Sequence, residues 1–142
     1  MYKLSSTQSK EQGRRLKGVD LRLVVGYLKC ALRFIAEHPE GPLPIVVEGF
    51  RTAETQAAYF AQGRTTPGEI VTQKPPGHSL HELRPARALD IGFLDIAGQP
   101  VFTRDNYEEF YGFWLEHSPT IEWGGLWKSP VDCPHFQVQP LV

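Results

Sequence analysis

The sequence predicts an α+β domain, a small and mostly antiparallel sheet flanked by helices. Three stretches carry helical signals, the clearest over residues 19–37. Four short runs, PIVVEGF, RALDIGF, IEW and HFQVQ, carry strand character. The chain has 142 residues, 41% of them hydrophobic and 22% charged. That is enough for one buried core without disulfide staples.

The elements follow in order. Leu21, Val24, Val25, Leu28, Leu32 and Ile35 recur at helical spacing, with Asp20 near the start and Gly41-Pro42 beyond the end. PIVVEGF, residues 44–50, reads as a short buried strand. TAETQAAYFAQG reads as a helix with Thr52 as N-cap and Gly63 as its stop. Residues 63–86 are rich in Gly, Pro, Thr and Lys and lack periodicity. So long a loop in a compact domain points to function. RALDIGF, residues 87–93, resumes strand character, Gly98 marks a turn, and Val101-Phe102 completes a hairpin. Residues 106–117 form a helix with Tyr107, Phe110, Tyr111 and Trp114 on one core-facing stripe. IEW and HFQVQ are the last two strands.

Composition excludes several classes. A formal net charge of -1 argues against a dedicated nucleic-acid binder. No apolar run reaches the roughly 20 residues of a membrane-spanning helix. The first eighteen residues are polar and lack an apolar signal-peptide core. The expectation is therefore synthesis in the cytoplasm without a signal peptide and no membrane insertion. Lys10, Arg14, Arg15 and Lys17 read as a solvated face or mobile N-terminal arm, or as a weak contact for an anionic polymer. Two cysteines make no disulfide framework. Cys30 is expected in the core. Cys133 reads as a free buried thiol, with a fourth metal ligand or regulatory thiol as the alternative.

The chemistry concentrates in a few residues. His38 and His117 end predicted helices, where cationic character suits the dipole. His81 leaves the long loop, and Asp90 lies nine positions on, within a strand. Strand alternation sends Leu89 and Ile91 to the core and Asp90 to the opposite face, where a buried carboxylate needs a cation. The same alternation puts His135 and Gln137 on one face and Phe136 and Val138 on the other. Two His and one carboxylate suit a catalytic zinc with its fourth position open to water. Asp132, three residues before His135, is the natural general base and later acid. Arg51 follows the first strand and can stabilise an oxyanion or hold a substrate carboxylate.

SLHELRPARALDIG resembles the Ser-x-His…Ala-x-Asp segment of the zinc D-alanyl-D-alanine carboxypeptidase and L-alanyl-D-glutamate endopeptidase family. That family belongs with the VanY-type enzymes and the hedgehog fold. IEWGGLWKSPVDCPHFQV resembles its second metal segment, EGFRTAETQAAYFAQGRTTPG its arginine segment, and LSSTQSKEQGRRLKGVD the start of phage-type members. The similarity runs in order from about Leu4 to Val138. It implies a hedgehog/DD-peptidase-like fold and one zinc ion per chain on His81, Asp90 and His135. It also implies Asp132 as catalytic base and Arg51 as an electrophilic or substrate-binding residue. Ser79, Trp127 and Gln137 are expected to contact substrate, with plain core packing the alternative for Trp123 and Trp127. The stretch from His81 to Asp90 is two residues longer than the commoner form and carries Arg84-Pro85, which leaves His78 as a rival first ligand. Leu126 stands where an aspartate often follows Gly-Gly.

Residues 1–142 are thus expected to be a single metallopeptidase catalytic domain, acting as a monomer on peptidoglycan stem peptides after release to the wall. The leading expectation is an endolysin-like L-alanyl-D-glutamate endopeptidase. A D-alanyl-D-alanine carboxypeptidase is the alternative enzyme. A catalytically silent zinc-containing wall-binding module is the alternative from another class.

Overall fold

The computed structural model describes residues 4–139. Its elements are α1 (Ser6–Leu16), α2 (Leu21–Glu37), β1 (Leu43–Glu48), α3 (Ala53–Ala61), β2 (Ala88–Leu94), β3 (Pro100–Val101), α4 (Arg104–His117), β4 (Ile121–Trp123) and β5 (His135–Val138). The sheet runs β1-β2-β5-β4, with β3 pairing β2, and every pairing is antiparallel. The α+β expectation holds. No helix among the described residues is long and apolar enough to cross a membrane.

The N-terminal segment is a helix and not a loose arm. Ser5 caps α1 in a reciprocal capping box with Gln8. The helix buries no residue fully; Leu16 packs at the margin of the core, and the attachment to β1 is polar. Gln12 places its amide against β1, donating to the Val46 carbonyl at 3.0 Å and accepting from the Val46 N–H at 2.6 Å. Arg15 donates to the same carbonyl at 2.9 Å. A bare sheet edge invites foreign strands, and here α1 covers it. Lys10, Arg14 and Lys17 do face solvent.

Helix α2 forms where expected, capped by Asp20, but packs through a different face from the one that reveals it. Leu21 and Leu32 are 75% and 71% exposed. The buried face is Leu23, Gly26, Tyr27, Cys30, Ala31 and Phe34. Apolar residues surround most of this helix, so periodicity identifies it without fixing its orientation. The core joins this face to Phe110 and Trp114 of α4 and to Leu89, Ile91, Phe93 and Phe136 on one side of the sheet. Tyr107, Phe110 and Trp114 are buried as expected, Tyr111 packs at the margin, and Phe113 joins them.

The other side of the sheet is open. Residues 63–86 stay irregular apart from one 3-10 turn, Leu80–Glu82. The lengthened stretch before β2 has a structural use. Ala86 is fully buried and pairs with the entry to α2, donating to Gly18 and accepting from Asp20.

Candidate metal centre

Register explains why Asp90 and His135 meet. They are Cα partners on adjacent antiparallel strands, so their side chains share a face. Glu48 is the partner of Asp90 on the other side, past a β-bulge. His81 arrives from the 3-10 turn, where Ser79 and Glu82 form a second capping box. Its carbonyl accepts from Arg51 N–H at 2.9 Å.

The donor atoms converge. His81 Nε2 and His135 Nδ1 lie 3.4 Å and 3.3 Å from the same oxygen, Asp90 Oδ1. These distances are long for hydrogen bonds. Asp90 Oδ1 is buried and has no hydrogen-bond partner among the described residues. Such an atom is costly unless something satisfies it. Bonds of about 2.0–2.1 Å at tetrahedral angles set neighbouring ligands about 3.3–3.4 Å apart. The three donors all lie within 4.8 Å of one another, so the set fits a metal ion.

Both imidazoles are oriented from behind. The Gly49 carbonyl can only accept, so His81 Nδ1 donates to it at 2.7 Å and Nε2 keeps its lone pair for the site. His135 Nε2 meets Gln137 Oε1 at 2.8 Å, leaving Nδ1 for the site. Gln137 is the cross-strand Cα partner of Glu122. Metal-binding imidazoles commonly have such outer partners. Gln137, expected as a substrate contact, stands behind His135: it is buried and turned toward that ring.

Two glycines permit the geometry. A Cβ on Gly49 would lie 2.3 Å from the Arg15 carbonyl oxygen and 2.5 Å from Val19. A Cβ on Gly124 would lie 2.4 Å from the Asp132 carbonyl oxygen, and Asp132 N–H donates to the Gly124 carbonyl at 2.9 Å. Side chains at these points would displace the backbones that position His81 and Asp132.

Charge follows from the arrangement. Burial alone would raise the Asp90 pKa, but contacts with His135 and His81 and their charge hold it well below the carboxylate range. Burial opposes protonation of His135, yet the neighbouring Asp90 raises its pKa overall. Asp132 moves upward, first through burial and then through the Asp90 charge.

His81, Asp90, His135, Asp132, Arg51, Ser79 and Trp127 all line one cleft of about 790 Å³. The Trp127 ring lies 5.1 Å from the His135 ring, and its Nε1 donates to Glu122. Trp123 is core, with Nε1 donating to the Cys133 carbonyl. His78 is exposed and outside the donor cluster. Cys133 is a free, half-buried thiol near Arg104 and is also outside the cluster, while Cys30 is free and fully buried. His38 stacks on Phe34 and contacts Glu109, and His117 closes α4 in solvent.

Arg51 is more engaged than its motif suggests. Its Nε donates to Glu48 at 2.6 Å, a second nitrogen pairs with the same carboxylate, and Nη1 donates to Gln56 at 2.7 Å. Nη2 lies 3.6 Å from Asp90, and the guanidinium sits over the Tyr59 ring. Glu48, Gln56 and Tyr59 are site residues that motif reading does not supply. Glu48 follows only from register. Gln56 signals itself only as a buried amide on an otherwise half-exposed helix.

No protein-family model matches the chain. It is 31% identical over 128 residues to the peptidoglycan L-alanyl-D-glutamate endopeptidase CwlK of Bacillus subtilis, covering 85% of this chain and 75% of that protein. Its fold matches the L-Ala D-Glu endopeptidase ChiX of Serratia marcescens with a TM-score of 0.63 and 25% identity, over 90% of this chain and 86% of that one. With likeness at this level across most of both proteins, the chain belongs to the VanY-like peptidoglycan peptidase family.

Proposed function

We propose that the protein is a zinc-dependent endopeptidase that hydrolyses the L-alanyl–D-glutamate bond of peptidoglycan stem peptides. One observation carries the reading: an unpartnered, buried Asp90 oxygen between two oriented imidazoles, in a cleft that also holds Asp132. His81, Asp90 and His135 would hold the ion, and two His with one carboxylate favour zinc. When bound, the ion makes water more acidic and polarises the scissile carbonyl.

The remaining steps fall to the chain's own residues. Asp132 takes a proton from the attacking water and returns it to the leaving amine. Its raised pKa suits both transfers, because a carboxyl that holds its proton more readily is a better base. Arg51, fixed by Glu48 and Gln56, sets positive charge beside the developing oxyanion. Trp127 and Ser79 shape the cleft walls. Residues 1–142 act as one catalytic domain and as a monomer on the wall.

The test is digestion of purified peptidoglycan by zinc-loaded protein, followed by mass spectrometry. New N-terminal D-glutamate is the expected product. Released D-alanine would instead identify a carboxypeptidase. No product from any wall type would leave only a binding module.

A further inference from the structure

Two long cations, Arg51 and Lys74, line the cleft, and only one is free. Arg51 is committed to Glu48, Gln56 and Tyr59. The Lys74 ammonium makes no hydrogen bond or ion pair among the described residues. Its backbone, by contrast, is held firmly. The Lys74 carbonyl accepts from Gln56 Nε2 at 2.7 Å, and its N–H donates to Thr72 Oγ1 at 3.1 Å. Gln56 is fully buried, and its other end holds Arg51. One carboxamide therefore links the backbone of the free lysine to the arginine beside Asp90. Pro75-Pro76 follow, and a proline restricts the residue before it to extended conformations. Arg64 secures the same wall, donating to the Thr72 carbonyl at 3.1 Å and to Gln73. The result is an unpaired cation on a fixed base, in the lining of a cleft that also holds Asp90 and Asp132.

We propose that Lys74 binds the free α-carboxylate of the D-glutamate residue next to the scissile bond, and so selects stem peptides that carry this acid over those that carry its amide. This rests on the endopeptidase reading above. In an L-alanyl–D-glutamyl peptide linked onward through its side chain, the α-carboxylate is one carbon from the leaving nitrogen. An ammonium on the cleft wall gains a charge-assisted hydrogen bond from the acid, which the neutral amide cannot match.

The experiment compares two synthetic peptides, L-Ala-γ-D-Glu-L-Lys and its D-isoglutamine counterpart, with wild-type, Lys74→Gln and Lys74→Arg proteins of equal metal content. Wild type should favour the acid by about tenfold or more in kcat/KM. Lys74→Gln should lose most of that preference by failing on the acid alone, and Lys74→Arg should keep it. The preference should shrink as salt rises. Equal cleavage of both peptides by wild type, or an unchanged ratio in Lys74→Gln, would overturn the assignment while leaving the endopeptidase reading intact. Cleavage of neither peptide nor peptidoglycan by wild type would overturn both.

Discussion

Asp90 and His135 face each other across the β2–β5 ladder, and this single register places a carboxylate oxygen 3.3 Å from an imidazole nitrogen on the open face of the sheet. Slipping the register by one residue would turn every side chain of β5 over. The site is thus a property of strand pairing, with His81 added from the loop.

The outer partner of His135 should matter nearly as much as a ligand. Gln137→Leu removes the acceptor 2.8 Å from His135 Nε2. Zinc affinity, measured by chelator competition, should fall about 10–100-fold. An unchanged affinity would show that Gln137 does not orient the ring.

Protons should compete with the metal early. A ligand imidazole must be neutral, and Asp90 raises the His135 pKa above its ordinary 6.5 in the metal-free protein. Zinc affinity should therefore start to decline at a higher pH than a free histidine would give. In His135→Ala that proton competition should vanish along with most of the affinity.

The metal-free protein should have its own stability window. Asp90 has a lowered folded pKa, so its contribution is present above the ordinary 3.8 and lost as pH falls through the folded value. His135 has a raised folded pKa, so its contribution is full below 6.5 and lost as pH rises through the folded value. Both hold between about 4 and 6.5, and thermal melts of metal-free protein should peak there. Zinc should move the maximum toward neutral pH. A melting curve independent of pH across this range would contradict the ionic pairing.

Close backbone approach makes Gly49 a sensitive position. Gly49→Ala forces a Cβ against the Arg15 carbonyl at 2.3 Å, next to the oxygen that orients His81. A destabilisation of about 1–3 kcal/mol is expected, typical of overpacking. Zinc affinity should drop in the same variant, whereas Gly13→Ala, inside α1 with open space around it, should leave zinc affinity unchanged and stabilise by about 0.5–1 kcal/mol.

Much of this was legible in the sequence, for definable reasons. Strand alternation turns Asp90 and His135 away from the core, spacing and chemistry single out His81, Asp132 and Arg51, and the ordered family resemblance implies the same residues. Helix α1 escaped because it buries no residue fully and only Leu16 touches the core: without an apolar stripe, only the Ser5…Gln8 capping box signals it. The packed face of α2 escaped because its aliphatic residues lie largely on the exposed side. Glu48 and Gln56 escaped because their work is to hold Arg51, and that depends on a bulge and a helix docking that no local spacing encodes. Gln137 shared the face of His135 as expected, but a face does not say whether a side chain points at substrate or at its neighbour.

Metal content tests the central claim most directly. Purified wild-type protein and His78→Ala should each carry one equivalent of zinc per chain, while His81→Ala, Asp90→Asn and His135→Ala should retain little. A wild-type protein that takes up no zinc, or an Asp90→Asn variant that keeps a full equivalent, would contradict the account.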